Sequence, residues 1–147
     1  MKMTLAKALK ERSRLAGKLK RDFEIIDREN SMLSGSERSF DLRAVYAECL
    51  ELHGKLVTIK RAIASANAPI AGKLAEMDEI KSMIASLRGV NTKAGYRPGN
   101  YGGEKELLEV VLGAAELTAE AEALQKRCEE LQDEIDAFNA VTDVEVS

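Results

Sequence analysis

Apolar side chains recur at alternating steps of three and four residues in two long stretches of the chain. The first stretch contains Leu42, Val45, Cys49, Leu52, Leu56, Ile59, Ile63 and Ala66. The second contains Leu117, Ala121, Leu124, Cys128, Leu131, Ile135 and Phe138. This spacing puts one narrow apolar seam on each helix and is typical of knobs-into-holes packing. Each stretch therefore predicts a long helix whose seam is covered by another helix.

Two further amphipathic helices are predicted from looser patterns. A first helix is expected from about Thr4 to Leu33, although Arg12 interrupts its apolar stripe. Ser39 or Asp41 can cap the start of the helix that follows. A third helix is expected to open at Pro69 and to stop at Gly89, because proline suits a first turn and glycine suits a helix end. Its stripe contains Leu74, Met77, Ile80, Ile84 and Leu87.

The segment GVNTKAGYRPGNYGGEKE, residues 89–106, separates the third helix from the last. Its glycines predict a connector that reverses the chain. The following LLEVVLG, residues 107–113, is short, partly β-branched and bounded by glycine, which favours a strand. In the tail VTDVEVS, Val144 and Val146 alternate with charged residues and could add a short edge strand.

The predicted fold is mainly α. It has about four long, antiparallel, coiled-coil-like helices and a short β element near 105–112, in a single helical domain over residues 1–147. A helix of about 28 residues is on the order of 40 Å long, longer than a compact domain of this size is wide. Such helices cover a narrow seam by hairpin packing or by oligomerising. We therefore expect a homo-oligomer that packs through its seams.

The connector does not match a phosphate-binding loop. A Walker-type loop needs a glycine followed by Lys and then Ser or Thr, after a strand. Here Gly103 is followed by Glu104, and the segment follows a helix. The segment is expected to act as a connector, with a possible interaction surface as the alternative, because long irregular loops often bind partners. That surface would consist of Lys93, Tyr96, Arg97 and Tyr101.

Charge is distributed unevenly, although the net charge is only −3. Residues 1–32 hold nine Lys/Arg and five Asp/Glu, whereas residues 104–147 hold three and thirteen. The two ends are expected to attract each other, within one chain or between chains. The basic residues of the first helix could also meet a nucleic acid, but no aromatic stacking platform is interleaved with them, so this partner is not favoured. These residues are Lys7, Lys10, Arg14, Lys18, Lys20 and Arg21.

Catalytic, cofactor and metal sites are not predicted. Cys49 and Cys128 lie on seam positions and are expected to be buried and reduced, with a disulfide or a thiol-based activity as the alternative. His53 is the single histidine, and its spacing from the cysteines makes no recognisable zinc site. The chain shows neither a signal-peptide core nor a membrane-spanning apolar run. The sequence therefore predicts a cytoplasmic protein that is not an enzyme.

Three segments resemble a known family of small bacterial helical proteins, the septicolysin-like family. They are LAKALKERSRLAGKL, IKRAIASANAPI and ELQDEIDAFNAVTDVEV. The matching positions are Leu5, Ala8, Leu9, Glu11, Arg12, Leu15, Ile63, Asn67, Ile135, Asn139 and Thr142. Ala140 departs from the pattern, since family members more often have an aromatic residue there, and the glycine-rich connector has no counterpart. The resemblance implies a mostly helical protein with a short β element, and the family name implies a cytolysin.

These observations favour a structural or interaction protein that acts as a homo-oligomeric helical module. The first alternative is a nucleic-acid binder that uses the basic first helix. The second is a membrane-active, cytolysin-like protein, as the family name implies. The sequence offers no apolar helix face wide enough for lipid.

Overall fold

A computed structural model describes residues 1–99 and 102–147. These residues form four α-helices and two small antiparallel sheets, which confirms the predicted mainly α fold. In chain order the elements are β1 (Lys2–Thr4), α1 (Leu5–Glu29), α2 (Leu42–Ala66), a 3₁₀ turn (Ala68–Ile70), α3 (Ala71–Arg88), β2 (Gly95–Arg97), β3 (Glu106–Leu108), α4 (Ala114–Val141) and β4 (Asp143–Glu145).

The chain forms two compact units. Unit 1 contains Met1–Ile70 and Asp136–Ser147, and unit 2 contains Ala71–Ile135. Helix α4 contributes to both, since it begins in unit 2 and its last turns belong to unit 1. The single domain expected over residues 1–147 stays a prediction.

In unit 1, α1 and α2 pack side by side with opposite chain directions. Lys18 forms an ion pair with Glu48, whereas Ile26, further along α1, lies beside Leu42 at the start of α2. The buried side chains between these elements form one apolar core. Its members are Leu5, Ala8, Leu15, Leu52, Leu56, Ile59, Ile63 and Val144.

A two-stranded sheet joins the two ends of the chain in unit 1. Strands β1 and β4 are antiparallel, with Met3 opposite Val144, and Val144 is buried in the core. The backbone N–H of Leu5 donates to the carbonyl of Thr142 at 2.7 Å, which ties the first turn of α1 to the end of α4. The predicted edge strand of the tail therefore exists, and its partner β1 was not predicted.

The turn between α1 and α2 is held by side chains that satisfy both helix ends. The Arg38 guanidinium donates to the carbonyl oxygens of Glu29 and Asn30, at 2.9 and 3.1 Å. The Asp41 carboxylate accepts from the first free amides of α2, as the predicted cap requires. Arg38 satisfies carbonyl oxygens at the end of α1, and the helix stops at Glu29. The predicted extension of this helix to Leu33 is wrong.

The buried seam of α1 changes from apolar to acidic along the helix. Ala8 and Leu15 are followed, at the same seven-residue spacing, by the buried acids Asp22 and Glu29. The Glu29 carboxylate accepts from the backbone N–H of Ser39 at 3.0 Å. The nearest ammonium to Asp22 is Nζ of Lys18, 3.9 Å from its Oδ2. Two buried acids therefore replace apolar packing at the turn end of unit 1, and Oδ2 of Asp22 has no hydrogen-bond partner among the described residues.

In unit 2, α3 and α4 lie antiparallel and are joined by ion pairs. Nζ of Lys73 is 2.5 Å from the carboxylate of Glu134, and Nε of Arg127 is 2.9 Å from that of Glu76. The buried apolar residues of the two helices in this unit are Met77, Ile80, Ile84, Leu117, Ala121, Cys128, Leu131 and Ile135.

The connector between α3 and α4 contains an antiparallel pair of strands. Gly95 lies opposite Leu108, Tyr96 opposite Leu107, and Arg97 opposite Glu106. Strand β3, Glu106–Leu108, falls inside the predicted β region at 105–112, but no strand extends over residues 109–113. Strand β2 was not predicted, because Gly95–Arg97 is too short to show an alternating pattern.

Candidate functional site

The predicted seam residues of α2 and α4 are mostly buried. In α2, Cys49, Leu52, Leu56, Ile59 and Ile63 are buried and Val45 is half-buried. In α4, Cys128, Leu131 and Ile135 are buried and Leu124 is half-buried. Four of the α2 residues share the apolar core of unit 1 with α1. Most of the α2 seam is thus covered within the chain.

The predicted basic and aromatic surface of the connector is only partly assembled. Tyr96 and Arg97 are neighbours on β2, so their side chains point to opposite faces of the strand pair. The Arg97 guanidinium is paired with the Glu106 carboxylate at 2.8 Å, which neutralises its charge. Lys93 is exposed and lies before the strand. Tyr101 lies outside the described residues.

The exposed side of the strand pair is apolar. Tyr96 is 73% exposed, and Leu107, directly opposite on β3, is 53% exposed. Side chains directly opposite each other share one face of an antiparallel pair. The surface that the connector presents is therefore a Tyr96–Leu107 pair, with the ion pair of Arg97 and Glu106 on the other face.

A larger apolar surface lies on α2 and was missed by the sequence interpretation. Tyr46, Leu50 and Val57 are 51%, 57% and 40% exposed, and we name these three residues the outer stripe. Each follows a member of the predicted seam by one residue, which turns it by about 100° around the helix. The exposed residues His53 and Ala64 continue the same spacing. Positions 46, 50, 53, 57, 60 and 64 have the spacing of a second heptad pattern, which Lys60 interrupts with a charge.

The outer stripe meets a cleft at the turn end of unit 1. The cleft encloses about 530 Å³, and Tyr46 is part of its wall. The other lining residues are Ile26, Asn30, Arg38, Phe40, Asp41, Leu42 and Arg43. Phe40 is nearly half exposed. Aromatic residues together with arginine are the side chains most enriched at the centres of protein interfaces.

A second groove in unit 1 lies between α1, α2 and the sheet, and encloses about 420 Å³. Met3, Leu15 and Ile59 contribute apolar surface to it. Its acids are already paired: hydrogen bonding from Arg14 lowers the pKa of Glu11, and hydrogen bonding from Lys55 lowers that of Glu51. Pairing with a cation therefore favours the ionised form of both carboxylates.

Both cysteines are buried and free, which agrees with the predicted burial. Burial raises the pKa of the Cys49 thiol, and the nearby Asp22 carboxylate raises it further. The thiolate is the nucleophilic form, so Cys49 is poorly suited to covalent chemistry. In residues 1–99 and 102–147, no group of three or more His, Cys, Asp or Glu side chains could hold a metal ion.

Comparison of the chain with known protein families, with curated proteins and with solved structures finds no match. Among the described residues, no helix is both long and apolar enough to cross a membrane.

Proposed function

We propose that this protein is a structural or interaction protein, a helical module that assembles with copies of itself. The observation that carries this proposal is the outer stripe of Tyr46, Leu50 and Val57. These three half-exposed, large apolar side chains lie along one helix face, and exposed apolar patches are a feature of interaction sites. The surface available for self-association is thus the outer stripe, since the α2 seam is already covered by α1.

The expected strength of the contact follows from the area it can bury. Complete burial of a Leu- or Val-sized side chain is worth about 1.5–3 kcal/mol, and these side chains are already half-buried. Two copies that each bury three such residues gain on the order of 6 kcal/mol. Association costs on the order of 4–15 kcal/mol in lost freedom. The association is therefore expected to be weak and to depend on protein concentration.

Sedimentation equilibrium over the micromolar range tests this function. The apparent mass should rise with concentration above the 16.1 kDa of one chain. A constant 16.1 kDa at every concentration would overturn the proposal.

A second candidate function is nucleic-acid binding through α1, and one observation favours it. Lys7, Arg14, Arg21 and Arg28 are exposed and recur every seven residues, so they share one face of the helix. Arg14 already forms an ion pair with Glu11 at 2.6 Å, which reduces the positive charge that this face offers to a phosphate. Filter binding of duplex DNA at two salt concentrations tests it. Binding through this face must weaken steeply with salt and must be lost in the Arg21→Glu/Arg28→Glu variant.

A cytoplasmic location and a role other than catalysis belong to the main proposal. Two free, buried cysteines support a reducing compartment, and the raised pKa of Cys49 argues against a thiol enzyme. Membership of the septicolysin-like family is likewise proposed from the quoted segments. If the membrane activity implied by that name were the true function, the purified protein would release dye from lipid vesicles.

A further inference from the structure

The groove between α1, α2 and the sheet of unit 1 adjoins a second cavity. The groove encloses about 420 Å³ and the second cavity about 320 Å³. Met1, Met3 and Glu11 line both, so the two cavities meet at these side chains. We name the two cavities together the lateral channel. Sites for small molecules typically have volumes of about 300–1,000 Å³.

The groove half of the lateral channel offers apolar surface and free space. Met3 and Val146 are half-buried and line it. Unbranched methionine side chains adapt their shape to an apolar ligand. The α2 wall includes Gly54, where a Cβ would meet no atom within 4 Å. The missing side chain therefore keeps this wall of the channel open.

The other half of the lateral channel is cationic. Its basic lining residues are Lys2, Lys7, Lys10 and Arg14. Lys2 and Arg14 already form ion pairs, with Asp143 and Glu11. Lys7 and Lys10 are exposed, and among residues 1–99 and 102–147 neither has a carboxylate within ion-pair distance. The uncompensated charge at this end of the channel is therefore positive.

The geometry points to a binding site in the lateral channel for a linear amphipathic carboxylate, a medium-chain fatty acid. The alkyl chain lies in the groove against Met3, and the carboxylate meets the ammonium groups of Lys7 and Lys10. The polarity of the channel carries this inference, because an apolar half adjoins an end that lacks anions. The site goes beyond the proposed self-association and does not depend on it, since the outer stripe lies outside both cavities.

NMR of the methionine methyl groups tests the location of the site. In protein with isotope-labelled methionine methyl groups, decanoate below its micelle-forming concentration should shift the signals of Met1 and Met3. Met83 is the matched control, because it is 50% exposed on α3 in unit 2. Its signal should not move. Equal shifts at Met3 and Met83 would indicate detergent-like adsorption and would overturn the inference.

A ligand series tests the two halves of the lateral channel separately. From hexanoate to decanoate, the dissociation constant measured by calorimetry should fall about two- to fourfold for each added methylene, because the groove removes the chain from water. 1-Decanol, which has the same chain without the charge, should bind about three- to tenfold more weakly than decanoate. Equal binding of hexanoate and decanoate would overturn the apolar half, and equal binding of decanoate and 1-decanol would overturn the cationic end.

Charge variants test the two lysines directly. Lys7→Gln/Lys10→Gln should weaken decanoate binding about three- to tenfold, because two exposed ion pairs to the ligand are lost. Lys81→Gln/Lys126→Gln is the matched control, since both of its lysines are exposed in unit 2. The control should bind decanoate as the native protein does. Equal affinity of the two double variants would overturn the role of Lys7 and Lys10.

A larger side chain in the α2 wall gives the last readout. Gly54→Leu should weaken decanoate binding at least about tenfold, because leucine occupies space that the alkyl chain needs. Gly72→Leu is the control, since Gly72 is also an exposed helical glycine with open space around it and lies on α3. Equal affinity of the two variants, with unchanged helical circular dichroism, would overturn the site in the groove. That result would leave self-association through the outer stripe intact.

Discussion

Helix α2 carries two apolar stripes of the same spacing with opposite environments. The inner seam contains Cys49, Leu52 and Leu56, which are buried, and the outer stripe contains Leu50 and Val57, which are exposed. Leu56 is 7% exposed, whereas the neighbouring Val57 is 40% exposed. The two stripes differ little in residue type. What separates them is that the chain covers one face of α2 with α1 and leaves the other uncovered.

The comparison shows what a periodic pattern can and cannot predict. A heptad spacing predicts that residues share a helix face. It does not predict whether that face is covered by the same chain or by another molecule. On α2, the residues of the regular seam are buried within the chain. The residues of the less regular outer stripe are exposed. If the outer stripe is an interface, the two faces should respond to mutation in different ways.

The largest expected effect is a difference in the free energy of unfolding between a substitution in the inner seam and the same substitution in the outer stripe. Leu56→Ala should lower the free energy of unfolding by about 2–4 kcal/mol, because it leaves a cavity in the core of unit 1. Leu50→Ala, the same substitution on the outer stripe, should change it by less than about 0.5 kcal/mol at concentrations where the protein is monomeric. Urea unfolding monitored by circular dichroism measures both. Equal losses in the two variants would mean that the outer stripe is also part of a core.

A substitution at Gly54 sharpens the comparison further. Gly54→Ala should stabilise the monomer by about 0.5–1 kcal/mol, because alanine favours the helix and its Cβ meets open space. Thermal unfolding at low concentration measures this gain. A loss of stability would contradict the open space around Gly54.

The connector between α3 and α4 provides a surface with a smaller expected effect. The double variant Lys93→Ala/Arg97→Ala should change stability by less than about 0.5 kcal/mol, since Lys93 is exposed and the Arg97–Glu106 pair lies at the surface. Its sedimentation should match that of the native protein. If the double variant were monomeric, the self-association surface would have to include the strand pair and not the outer stripe alone.

The smallest effect concerns acid and the ion pair between α3 and α4. A hydrogen bond from Lys73 lowers the pKa of Glu134 below its ordinary value of 4.5. A lowered pKa in the folded state means that the pair stabilises the fold above pH 4.5 and loses this effect as the pH falls through the folded-state pKa. Glu134→Gln should therefore reduce the acid sensitivity of unfolding slightly. An unchanged pH profile would show that solvent screens the pair completely.

Much of the fold follows from local sequence signals, and the rest depends on distant partners. The α2 seam and the Asp41 cap are local: the seam residues were predicted, and Asp41 was one of the two predicted cap residues. Strand β1 was not predicted, because Lys2–Thr4 is three residues long and pairs with residues at the other end of the chain. The end of α1 was misplaced, because Arg38, nine residues beyond Glu29, completes it.

The candidate surface was harder to predict than the fold. Lys93, Tyr96 and Arg97 were predicted as a possible interaction surface because they are charged or aromatic residues in a glycine-rich segment. In the structure, the Glu106 carboxylate pairs with the Arg97 guanidinium. The sequence around Arg97 does not predict this pairing, because it depends on β2 lying beside β3. The outer stripe was not predicted, because the polar His53 interrupts its apolar pattern. Each of its apolar residues also directly follows a residue of the more regular inner seam. Its exposure depends on the position of α1, which the spacing of α2 does not encode.

Sedimentation equilibrium of Leu50→Glu/Val57→Glu beside the native protein tests the central claim most directly. Two exposed residues are changed to a good helix former, so the helical circular dichroism should be unchanged, and so should the thermal midpoint at concentrations where both proteins are monomeric. The native mass should exceed 16.1 kDa at high micromolar concentration, whereas the folded double variant should remain at 16.1 kDa. A folded double variant that associates as strongly as the native protein would contradict the claim that the outer stripe is the self-association surface.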